Sequence, residues 1–143
     1  MTQPTVVCVD DEPRILNSLN MLLKKDYQVR TMTQGEEAIA YLKTNRVNVI
    51  LSDQRMPKMT GVEVLQQASV VSPNTVRILL TGYSDLSAVI GSINDGEIYR
   101  FINKPWSNEQ LRAIVQRASA IADGLWLDTT MSSPSVPEQP PAF

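Results

Sequence analysis

The chain has 143 residues, 43% apolar and 20% charged, which is the make-up of one ordinary globular domain rather than a fibre or a disordered chain. It contains no histidine and one cysteine, which excludes the Ser-His-Asp triad, the Cys-His pair, His-ligated metal sites and an intramolecular disulfide framework. Its net charge of −2 gives no global field for nucleic acid, and no signal peptide or membrane-length apolar run is visible, so the expectation is a cytoplasmic domain that binds neither nucleic acid nor membrane.

In chain order, short apolar runs alternate with segments of helical period. Val6–Val9 is β-branched and nearly unbroken, as a strand buried on both faces should be. Ile15, Leu19, Leu22 and Leu23 then fall on one helical face, with Pro13 tolerated in the first turn. Tyr27–Met32 reads as a second strand, and Thr33 with Glu36 predicts a capping box before the helix of Ile39 and Leu42. Val47–Leu51 is the third strand, and Thr60 with Glu63 predicts a second capping box before Val64, Leu65 and Ala68. Pro73-Asn74 breaks that helix, and Val76–Leu80 is the fourth strand. A helix Leu86–Asn94 follows, ended by Asp95-Gly96, and Ile98–Ile102 is the fifth strand. Ser107 and Gln110 predict a third capping box, opening a last helix through Leu111, Val115, Ala118, Ile121 and Leu125. Strict alternation of five strands and five helices predicts an α/β fold, a doubly wound parallel sheet with helices on both faces, over residues 1–127. Residues 128–143 are rich in proline and serine and read as a disordered tail or the start of a linker.

Ligands of open parallel sheets bind beyond the carboxyl ends of the strands. There the chain places Asp10-Asp11 after strand one, Asp53 after strand three, Thr81 after strand four and Lys104-Pro105 after strand five. Three carboxylates with reference pKa values near ~3.9 repel one another when gathered and call for a cation. Oxygen ligands without imidazole or thiolate select Mg²⁺ (or Mn²⁺) over zinc. An ionised aspartate beside such a metal is already a nucleophile, while an ammonium and a hydroxyl suit phosphoryl oxygens. Each residue alone has a plainer reading: a helix cap for Asp10-Asp11, a loop residue for Asp53, turn chemistry for Thr81, a solvated lysine for Lys104. Their coincidence on one rim is what points to a phosphoryl-accepting site.

These residues stand in stretches that resemble the receiver domains of bacterial two-component response regulators, the flavodoxin-like fold typified by CheY. The stretches are Val9-Asp10-Asp11-Glu12-Pro13, Asp53 through Gly61 (DQRMPKMTG), Leu80-Thr81-Gly82 and Lys104-Pro105-Trp106, within a resemblance spanning about residues 5–125. The resemblance implies that Asp53 is the phosphoacceptor and that Asp11 and Asp53 ligate Mg²⁺ directly. Asp10 would bind the metal through water, and the backbone carbonyl of Arg55 would complete the protein ligands. Thr81 and Lys104 would hold phosphoryl oxygens, Phe101 would take the place of the switch aromatic, and Lys104-Pro105 would be cis. Phe101 lacks the hydroxyl many members have, which leaves packing to carry its switching. Arg55 and Tyr83 are large groups beside the phosphoryl pocket.

The implied partners are a sensor histidine kinase or phosphotransfer protein and an output domain of HD-GYP phosphodiesterase or transcriptional type. A homodimer would form through the face of helix Leu86–Asn94, strand Ile98–Ile102 and helix Asn108–Ala122. The chain itself would be a switch rather than an enzyme. Two alternatives stay open: a Mg²⁺-dependent aspartyl-phosphate hydrolase, whose second acid two residues after the nucleophile is here Arg55, and a degenerate protein-interaction module. A dinucleotide site is disfavoured, since no G-x-G-x-x-G follows strand one. Cys8 reads as a buried apolar thiol, and Trp106 and Trp126 as packing residues of the last helix.

Overall fold

The structure, a computed structural model, describes residues 3–132. The part of the expected tail from 133 onward lies outside the described residues, as do the side chains of Tyr83 and of 129–132. The elements are β1 (Thr5–Val9), α1 (Pro13–Leu23), β2 (Gln28–Met32), α2 (Gly35–Thr44), β3 (Val49–Asp53), α3 (Gly61–Val71), β4 (Val76–Thr81), α4 (Tyr83–Val89), a 3₁₀ turn at Ile90–Ser92, β5 (Arg100–Asn103) and α5 (Asn108–Ser132). The five strands form one parallel sheet in the order β2-β1-β3-β4-β5. The reversal of winding at β1 and β3 opens a crevice at their carboxyl ends, where such sheets take ligands.

Burial follows position in that order. Every residue of β3 is buried, and β1 is nearly so, as their apolar runs require; the edge strands β2 and β5 are largely exposed. The alternating strand residues build two cores. On one face Val6, Cys8, Leu51, Ile78 and Leu80 meet Leu16 and Leu19 of α1 and Leu111 and Val115 of α5. On the other, Val7, Val9, Ile50 and Leu79 meet Ala38 and Leu42 of α2 and Val64 and Leu65 of α3, with Phe101 and Val89 packed at its margin.

Five local readings differ from the sequence expectation. β3 runs over Val49–Asp53 rather than Val47–Leu51, so Asp53 closes the strand instead of following it. α2 opens at Gly35, so Gln34 stands at the N-cap and Thr33 is one residue too early to cap; no side-chain cap forms there. α4 begins earlier, at Tyr83 behind Gly82, and gives way to the 3₁₀ turn at Ile90. β5 starts at Arg100 rather than Ile98, because Gly96 turns with φ +84° and Arg77 holds the loop through the carbonyls of Gly96 (2.9 Å) and Glu97 (2.8 Å). α5 continues through Ser132, making 128–132 helical, and it opens after Trp106, which therefore precedes the helix. The capping box of Thr60 and Glu63 forms in full, and Ser107 accepts from the amide of Gln110 at 3.2 Å.

Candidate functional site

Three of the four expected strand ends deliver their charged groups to one point. β1 and β3 are hydrogen-bonded neighbours whose last pairing is Val9 with Ser52, which sets Asp10 and Asp11 beside Asp53. One carboxylate oxygen from each of these three aspartates lies within 4.8 Å of the others. Lys104, just past β5, extends its Nζ to 2.8 Å from Asp53 Oδ1 and 3.5 Å from Asp10 Oδ2. The Lys104-Pro105 bond is cis, as expected.

The floor of the site is rigid for reasons that lie in its neighbours. The Glu12 amide donates to Asp10 Oδ1 at 2.9 Å. Gln54 is buried and clamps the loop after Asp53: its amide donates to the Leu80 carbonyl, its own carbonyl accepts from Gly61, and its Oε1 accepts from Val62. Gly61 lets α3 start directly against β3, for a Cβ there would lie 2.2 Å from the Asp53 carbonyl oxygen. Only glycine permits so close an approach of backbone to backbone.

Thr81 ends β4 one residue beyond Leu80, the partner of Asp53, and is buried; its hydroxyl donates to the Gly82 carbonyl at 3.3 Å. Phe101 sits half-buried on β5 against the second core. Arg55 turns its side chain away from the carboxylates to Asp85 in the first turn of α4. Sequence reasoning singled out neither Gln54 nor Asp85: a glutamine in a loop and an acid near a helix start carry no signal of what they bind.

The electrostatics reflect crowded charge, with Asp10 and Asp53 buried, Lys104 partly exposed and Asp11 exposed. Burial raises the Asp10 carboxyl above the usual carboxylate range; the Glu12 amide opposes this and the Asp53 charge adds to it. Burial also raises Asp53, against the hydrogen bond and charge of Lys104. Burial acts to lower Lys104, but the hydrogen bond to Asp53 and the charges of both aspartates outweigh it, so its ammonium is held more firmly than usual. One ammonium thus offsets three carboxyl groups, and the remaining deficit of positive charge, with an all-oxygen donor set, fits a hard divalent cation such as Mg²⁺.

The fold and site define a doubly wound α/β domain with an acidic crevice at the carboxyl ends of β1 and β3, closed on one side by a lysine. The model of the response regulator receiver domain family matches residues 6–116, and the chain belongs to that family. Over 116 residues it is 41% identical to the hydrogenase transcriptional regulatory protein HoxA of Cupriavidus necator, covering 81% of this chain and 24% of that protein. The chain therefore spans about a quarter of the length of that relative. Among solved structures, it is similar to an adenylate cyclase from Rhodopirellula baltica at 35% identity and a TM-score of 0.83, covering 90% of this chain and 96% of that one. The signal receiver domain of an HD domain-containing protein from Pseudomonas fluorescens gives 31% identity and a TM-score of 0.79, covering 87% and 92%. Members of the family are phosphoaccepting switches of two-component signalling rather than enzymes in the usual sense. Among the described residues, no helix is long and apolar enough to cross a membrane.

Proposed function

We propose that Asp53 accepts a phosphoryl group from the phosphohistidine of a sensor kinase or phosphotransfer protein. The observation that carries this reading is the 2.8 Å contact of Lys104 Nζ with Asp53 Oδ1 beside the Asp10 and Asp11 carboxylates. In the transfer an Asp53 oxygen attacks phosphorus as the partner's N–P bond breaks, and the electron pair leaves with the imidazole nitrogen, which takes up a proton. The chain has no histidine, so the donor is another molecule or domain. Asp11, Asp53 and the Arg55 backbone carbonyl would hold Mg²⁺, with Asp10 bound through water; when present it supplies the positive charge that offsets the carboxylates and phosphoryl oxygens. Lys104 keeps its ion pair with the modified group, and Thr81 exchanges the Gly82 carbonyl for a phosphoryl oxygen. That movement draws the start of α4 toward Asp53 and makes room for Phe101 to bury its ring.

The face of α4, β5 and α5 then changes shape and serves an output domain or a second copy of the chain. The transcriptional and HD-domain character of the relatives supports an output of one of those types. A hydrolase is less well supported, since Arg55 stands where a second acid would act. Incubation with acetyl phosphate and Mg²⁺ should add one phosphoryl group, located by mass spectrometry at Asp53. Asp53→Asn should abolish it, and uptake by that variant at the wild-type rate would overturn the assignment.

A further inference from the structure

Two residues past Asp53, Arg55 bridges the two loops that flank the site. Its Nε and Nη2 each lie 2.8 Å from Asp85 Oδ1. Asp85 is in the first turn of α4, four residues after Thr81, so the pair ties the segment following Asp53 to the helix following Thr81. The two ends of this tie are held very differently. On the loop side Gln54 is clamped by β4 and α3, as described above. On the α4 side, none of residues 84–92 is buried. A cleft of about 510 Å³, lined by Met56, Pro57, Thr60 and Val89 among others, separates α4 from the loop.

We propose that Arg55 exchanges partners on phosphorylation: it holds Asp85 while Asp53 is a bare carboxylate, and turns to the phosphoryl oxygens once Asp53 carries them, releasing α4 from the loop. The inference rests on Asp53 being the phosphoacceptor. An ion pair open to solvent is weak and easily displaced, and here the Arg55 side chain is 78% exposed although its partner Asp85 is 21% exposed. A phosphoryl group adds about −1.5 to −2 charges and three acceptor oxygens, taking phosphoserine as the guide. A planar guanidinium meets such a group with two parallel hydrogen bonds, a stronger arrangement than its present hold on one carboxylate oxygen. The move requires only rotation of an exposed side chain on a fixed backbone. The Asp85 left behind sits in the first turn of a helix, where the macrodipole favours negative charge. Arg55 thereby senses the modification and transmits it to α4 directly, alongside Thr81.

The test is a double-mutant cycle on the affinity for beryllofluoride, a stand-in for the phosphoryl group, in saturating Mg²⁺ and followed by NMR of the backbone amides. Arg55→Ala should weaken binding about tenfold, the scale of a lost hydrogen bond to a charged group. Asp85→Asn should tighten it about threefold, the scale of an exposed ion pair, and only while Arg55 is present. In the free Asp85→Asn protein the amides of 84–92 should already lie part-way toward their bound positions. Tightening by Asp85→Asn that persists in the Arg55→Ala background would be a simple field effect and would overturn the exchange, as would unchanged affinity in Arg55→Ala. Those outcomes leave the phosphoacceptor reading standing. A wild-type protein that binds no beryllofluoride at Asp53 would overturn both.

Discussion

At the scale of single residues, the site depends on groups that do no chemistry. Gly61 is the clearest case. A methyl group there would meet the Asp53 carbonyl oxygen at 2.2 Å and Leu79 Cδ1 at 2.7 Å, so either β3 or the start of α3 must shift. Gly61→Ala is expected to lower stability by ~1–3 kcal/mol, the usual range for overpacking, as read by urea denaturation. It should also slow phosphoryl uptake from acetyl phosphate, because the residue displaced is Asp53 itself. A variant equal to wild type in both would mean the backbone yields without moving the carboxylate. Cys8 shows the opposite extreme. Its thiol lies fully buried in β1, and burial with the Asp10 charge pushes its pKa up to about 12, so it behaves as the apolar core residue its sequence setting suggested.

At the scale of elements, two threonines with the same apparent signature separate what a sequence pattern encodes from what tertiary packing decides. Thr60 forms a reciprocal capping box with Glu63, whereas Thr33 caps nothing because α2 starts one residue later. Thr60→Ala should therefore cost ~1 kcal/mol and Thr33→Ala less than about 0.5 kcal/mol, measured as shifts of the urea midpoint. Equal losses would show that the caps are not distinguished as described. The central strands β1, β3 and β4 are legible because burial on both faces leaves unbroken apolar runs, although β3 runs two residues later than expected. Asp10, Asp11, Asp53 and Thr81 follow from where those runs end, and Lys104 from the end of the weaker run at β5. β5 and α4 were misjudged by two or three residues because they lie at the sheet edge, where burial is partial and the apolar pattern thins. The start of β5 follows a loop that Arg77 holds through the carbonyls of Gly96 and Glu97, a long-range contact that leaves no local trace.

At the scale of the whole molecule, the domain concentrates like charge where the sheet opens, and its stability should depend on pH accordingly. Burial raises Asp10 and Asp53, so the folded chain keeps protons that the unfolded chain has already released. Stability without metal is then highest, for these groups, below their ordinary value of 3.8, and falls as pH rises from there through the raised values. Lys104 has the opposite character. Its raised pKa stabilises the fold throughout the neutral range and is lost only as pH climbs past that raised value, well above neutrality. Asp10→Asn removes one of the destabilising charges while keeping its shape. In EDTA, the variant should melt above wild type at pH 7, with the gap closing as the pH is taken down toward 3.8, where the wild-type carboxyl is itself protonated. Adding Mg²⁺ at pH 7 should raise the melting temperature of wild type, because a cation bound only by the folded state stabilises it by mass action. It should raise that of Asp11→Ala far less, since Asp11 contributes one of the three clustered carboxylates. Calorimetry across this pH range, with and without metal, reads all three effects. A gap between Asp10→Asn and wild type that is constant with pH would show that Asp10 acts through packing rather than charge. Equal Mg²⁺ responses in Asp11→Ala and wild type would remove the acidic rim as the metal site.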